Sequence, residues 1–114
     1  MKTLQIQLQP DLAPELNLAE AKVLLESVSS NALVSKFRVT EGVDGGPYVN
    51  FDYATENPGA LWSELKRTVL RSSPLAHQLR QAIMVVCEGE RGWHDYLQLY
   101  HFDPKVPVDR AGEL

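Results

Sequence analysis

Hydrophobic and polar residues alternate without interruption over Thr3–Gln9, with Leu4, Ile6 and Leu8 on one side and Gln5, Gln7 and Gln9 on the other. A period of two predicts a half-buried strand whose outer face carries amides. Pro10, Asp11 and Pro14 end it. The period then changes. Leu18, Ala21, Leu25 and Val28 recur at spacings of three and four, which predicts an amphipathic helix. Asn17 can cap its third amide while Glu20 reaches back, and Ser29-Ser30-Asn31 closes it.

Two further runs, Leu33–Glu41 and Pro47–Thr55, flank Gly42-Val43-Asp44-Gly45-Gly46 and read as an antiparallel hairpin. With Glu41 opposite Pro47, Val39 meets Val49, Phe37 meets Phe51 and Ser35 meets Tyr53 on one face. Arg38 meets Asn50 and Lys36 meets Asp52 on the other. A one-residue slip would set Phe37 against Asn50 or Asp52, so the hydrophobic pattern opposes it.

Asn57-Pro58 opens a second helix, with Leu61, Trp62, Leu65 and Val69 as its buried face. Ser73-Pro74 repeats the same start signal for a short helical turn to about Gln81. Ala82–Glu88 and Trp93–Phe102 read as a second hairpin around Glu90-Arg91-Gly92, with Gly92 in the left-handed position. That register sets Ile83 against Leu99, Val85 against Leu97 and Cys87 against Asp95. On the reverse face it sets Met84 against Gln98, Val86 against Tyr96 and Glu88 against His94. Pro104 and Pro107 forbid regular pairing, so residues 104–114 are expected to form an extended or disordered tail.

The resulting order, β-α-β-β-α-β-β, predicts a single α+β domain over residues 1–103. Two main helices would cover one face of a mostly antiparallel sheet in a ferredoxin-like sandwich, with the fifth strand at an edge. That fold hosts many activities, and no motif in the chain points to a family.

Composition narrows the classes. The 114 residues are 44% hydrophobic and 23% charged, which is globular usage. The longest apolar run, Ala82–Cys87, is far short of the ~20 residues of a membrane-spanning helix, and Met1–Gln9 has no secretory apolar block. The lone Cys87 cannot form an internal disulfide, which suits a cytoplasmic setting. The net charge is −4, so nucleic-acid binding, which needs cations to displace phosphate counterions, is not expected.

Candidate chemistry is sparse. His94 and His101 lie on one strand at an odd spacing, hence on opposite faces, and His77 lies elsewhere, so no metal site is expected. Glu88 opposite His94 would favour the imidazolium, as an acid/base pair or as a solvated cross-strand pair. Asp95 opposite Cys87 would keep the thiol protonated rather than activate it. The glycines at 42, 45 and 46 join strand to strand and form a turn rather than a phosphate cradle. Lys66, Arg67, Arg71 and Arg80 form a basic patch, read either as a solvated helix face or as a contact for an anion or acidic partner. No cofactor is implied.

The remaining feature is the sheet face away from the helices. The register places Tyr96, Tyr100, Met84, Val86 and His94 there, with Tyr48 elsewhere on it, beside the glutamines and Lys36, Arg38, Asn50 and Asp52. Aromatics and Met with a polar rim suit a protein contact. The expected function is therefore a non-catalytic interaction module that binds another protein or itself. The alternative is a dimeric small-molecule-binding or enzymatic domain with a pocket on this face.

Overall fold

Each helix begins at the residue best able to cap it. Helix α1, Leu18–Ser27, starts at Asn17, whose side chain accepts from the Glu20 N–H at 3.1 Å. Helix α2, Pro58–Thr68, starts at Asn57, which accepts from Ala60 N–H at 3.0 Å. Helix α3, Pro74–Arg80, starts at Ser73, which accepts from Ala76 N–H at 3.0 Å. In α2 and α3 a proline takes the first position, where no intrahelical N–H is needed.

The structure is a computed structural model that describes residues 1–71, 73–109 and 114. Its strands are β1 (Lys2–Leu8), β2 (Lys36–Val43), β3 (Pro47–Thr55), β4 (Ile83–Gly89) and β5 (Gly92–His101). They form one antiparallel sheet in the order β2-β3-β1-β4-β5. Among the described residues the molecule is thus α+β, with a five-stranded antiparallel sheet and three α-helices.

Alternation in the strands sorts the side chains. Leu4, Ile6 and Leu8, with Phe51, Tyr53, Ile83, Val85 and Cys87, are at most 1% exposed and join Ala21, Leu25, Leu61, Leu65 and Leu79 of the helices in one core. Tyr53 ties the two layers together, its hydroxyl donating to the Leu25 carbonyl at 2.6 Å.

Both hairpins depart from the register expected above. In the first, Phe37 faces Tyr53, Val39 faces Phe51, Lys36 faces Ala54 and Arg38 faces Asp52. The slip is two residues, so every side chain keeps its face. Its cause is Gly42, which pairs with Tyr48 instead of joining the loop. The Tyr48 ring occupies the space a Cβ at Gly42 would need, so an aromatic covers a glycine across the ladder. The connection shrinks to Asp44-Gly45-Gly46, with Gly45 at φ +70°.

The second hairpin differs more. Met84 faces His101, Val85 faces Tyr100, Val86 faces Gln98, Cys87 faces Leu97 and Gly89 faces Gly92, with register shifts between Val85 and Val86 and between Cys87 and Gly89. None of the six expected pairs forms. An extra residue on β5 at Leu99 lets Leu99 and Tyr100 both turn toward the helices. Near the turn, the Asp95 carbonyl stands where a Cβ of residue 89 would be, an approach that only glycine permits. Gly92 has φ +72°, in the left-handed region as its position predicted.

Two residues of the expected tail make contacts with the rest of the chain. Asp109 N–H donates to the Gln98 carbonyl at 2.7 Å, and its carboxylate accepts from Gln98 N–H at 2.8 Å. Leu114 packs against the core. The rest of the expected tail, residues 110–113, lies outside the described residues.

Candidate functional site

The sheet face away from the core is built from rows that cross all five strands. One row runs Arg38, Asp52, Gln5, Val86, Gln98, and the next Thr40, Asn50, Gln7, Met84, His101. In the first row the Asp52 carboxylate accepts from Gln5 Nε2 at 2.8 Å and from Arg38 Nη2 at 3.2 Å. Asp52 is only 9% exposed, and these partners offset the cost of holding a charge there. Gln98 Nε2 donates to the Tyr100 carbonyl at 2.7 Å, and Gln9 Nε2 donates to Gln7 Oε1 at 3.0 Å. These glutamine amides are held by Asp52, by one another and by backbone.

Two clefts open on this face. One, of about 400 Å³, is lined by Thr3, Lys36, Phe37, Arg38, Asp52 and Ala54. The other, of about 190 Å³, is lined by Gln7, Gln9, Asp44, Gly46, Tyr48 and Asn50. Asn50 Oδ1 is buried there and has no hydrogen-bond partner.

Of the residues placed here from sequence, Met84 and Val86 lie in the rows, Val86 at 8% exposure. Tyr96, next to inward-packed Leu97, is 52% exposed at the rim. Tyr48 lies over Gly42, at the opposite end of the face. His94 is exposed, but its expected partner is engaged elsewhere: Glu88 Oε1 accepts from Thr3 N–H at 2.6 Å.

Tyr100 does not belong to this face. The bulge turns it to the helix side, where its hydroxyl donates to the Arg80 carbonyl at 2.6 Å. Burial raises its pKa, against the opposing charge of Arg80. With Trp62, Lys66, Leu70, Arg80, Leu99 and Asp109 it lines a cleft of about 360 Å³. The same bulge brings His101 into the row of Met84, a placement that strict alternation misses. Its Nδ1 accepts from Asp103 N–H at 2.9 Å, and its ring lies 4.3 Å from that of Phe102. Trp93, 45% exposed in the same strand, was also missed; an exposed tryptophan is itself the available signal.

The basic patch resolves into separate contacts. Arg67 pairs with Glu64, Arg80 donates to the Leu70 carbonyl, and Lys66 Nζ lies 5.5 Å from the Trp62 ring centroid. Arg71 lines a cleft of about 170 Å³ with Ser73, His77 and Arg80. Cys87 is fully buried opposite Leu97 rather than Asp95, and burial pushes its thiol up to about 11. A thiol so held is a poor nucleophile near neutrality.

Among the described residues no three His, Cys, Asp or Glu side chains are grouped to hold a metal, and no helix is long and apolar enough to cross a membrane. Searches against protein-family models, curated proteins and solved structures find no match to this chain.

Proposed function

We propose that the chain is a cytoplasmic, non-catalytic protein-interaction module of the adaptor, assembly or inhibitor kind, which docks its partner on the sheet face turned away from the helices. We also read the fold as a ferredoxin-like sandwich with an added edge strand, a reading supported by β1 lying between β3 and β4 and β5 lying outermost.

One observation carries the functional reading. On this face Val86 and Asp52 stay under 10% exposed, with the Asp52 carboxylate held by Gln5 and Arg38 and the Gln98 amide held by the Tyr100 carbonyl. A surface already ordered by its own hydrogen bonds has little conformational entropy left to lose on binding. Tyr96 at the rim, 52% exposed, supplies an aromatic anchor of the kind that dominates many interfaces.

The test is capture from native extract on the immobilised chain. A stoichiometric partner retained by the wild type and by Arg67→Glu, but lost with Tyr96→Glu or Val86→Lys, supports this face. Retention by all variants refutes it.

The cleft beside Arg38 and Asp52 favours a second reading, a small-molecule site on the same face, extended by a second copy. A small-molecule thermal-shift screen whose hits vanish in Arg38→Ala would favour that reading.

A further inference from the structure

The sheet has two edges, and they are treated differently. On β5 the tail residue Asp109 occupies both backbone groups of Gln98. On β2, the first strand in the sheet order, no described residue pairs along the outer side. A row of unpaired N–H and C=O groups is a template for another strand. The strand also exposes apolar side chains, Val39 at 36% and Val43 at 80%.

We propose that this edge pairs with β2 of a second copy, antiparallel about a two-fold axis normal to the sheet through Thr40, which joins two five-stranded sheets. Such an axis keeps the helix layers on one side, so opposed residues must share a face. The side chains select among the registers this allows. Centred on Thr40, Phe37 lies opposite Val43 of the second copy and Lys36 lies opposite its Asp44. Arg38 then meets Gly42 of the second copy, over which the Tyr48 ring lies, giving a guanidinium an aromatic face. Val39 meets Glu41, whose carboxylate is already held by Lys22 at 2.8 Å.

The neighbouring registers are worse. Centring on Arg38 or on Glu41 opposes like charges directly, and centring on Val39 sets Phe37 against Glu41. The Thr40 register alone combines an apolar pair with an opposite-charge pair, each occurring twice by symmetry. The pairing uses the outer edge of β2 and leaves Val86 and Tyr96 of the open face untouched, so either proposal can fail without the other.

Sedimentation velocity from micromolar to submillimolar concentration tests the inference. The wild type is expected to pass from monomer to dimer. Lys36→Asp sets Asp against Asp twice and should weaken the dimer about ten-fold or more. Adding Asp44→Lys should restore most of the affinity. Val43→Arg, at an exposed position, should also favour the monomer, while Tyr96→Glu on the other surface should change nothing. A monomer at all concentrations overturns the proposal. So does a dimer that Lys36→Asp or Val43→Arg leaves intact, that the Asp44→Lys exchange fails to restore, or that Tyr96→Glu dissolves.

Discussion

Two buried side chains set the local energetics. The Tyr53 hydroxyl is the donor of a fully enclosed bond to the Leu25 carbonyl. Tyr53→Phe keeps the packing and removes that bond, so unfolding free energy should fall by about 1–2 kcal/mol in a urea titration. Cys87 contributes through its proton. Burial raises its pKa from 9.0 to about 11, so the folded state holds a proton that the unfolded state releases sooner. Its contribution is complete below about pH 9 and is lost as pH rises through about 11. Stability measured at about pH 8 and about pH 10.5 should therefore fall, and Cys87→Ala should flatten part of that slope. The same proton predicts slow alkylation of the native protein at neutral pH and rapid alkylation in denaturant.

At the scale of elements, caps and periodicity were legible because they are local. Asn17, Asn57 and Ser73 cap where their chemistry predicts, and the alternation in Thr3–Gln9 marks the central strand and its two faces. Register was not legible, because it depends on close approaches between strands. Gly42 reads as loop in the sequence, but the Tyr48 ring occupies the place of its missing side chain, and the resulting slip is even and costs no face. The bulge at Leu99 leaves no turn residue or break in pattern to announce it. One extra residue there moved Tyr100 inward and His101 outward, so the candidate site shifted with it. Gly89 carries a test of this reading. A methyl at 89 collides with the Asp95 backbone, so Gly89→Ala should destabilise by roughly 1–3 kcal/mol. It should also broaden the NMR resonances of β5 more than those of β2. Asn57→Ala, which only removes a cap, should cost about 1 kcal/mol and leave β5 unchanged.

At the scale of the whole molecule, one side of the sheet shares a core with Leu25, Leu61, Leu65 and Leu79 of the helices, and a second side carries the rows of Gln5 and Gln7. That second side is hydrogen-bonded across strands at Arg38–Asp52–Gln5, apolar at Val86 and Met84, and aromatic at its rim. Its assignment as the docking surface is tested most directly by hydroxyl-radical footprinting of the chain alone and bound to the partner captured from native extract. Met84, Tyr96 and His101 report on the open face, and Tyr100 and His77 report on the helix side. Binding is expected to suppress oxidation of Met84, Tyr96 and His101 several-fold while Tyr100 and His77 react as before. Unchanged oxidation of the first three, with protection appearing at Tyr100 or His77, would contradict the account.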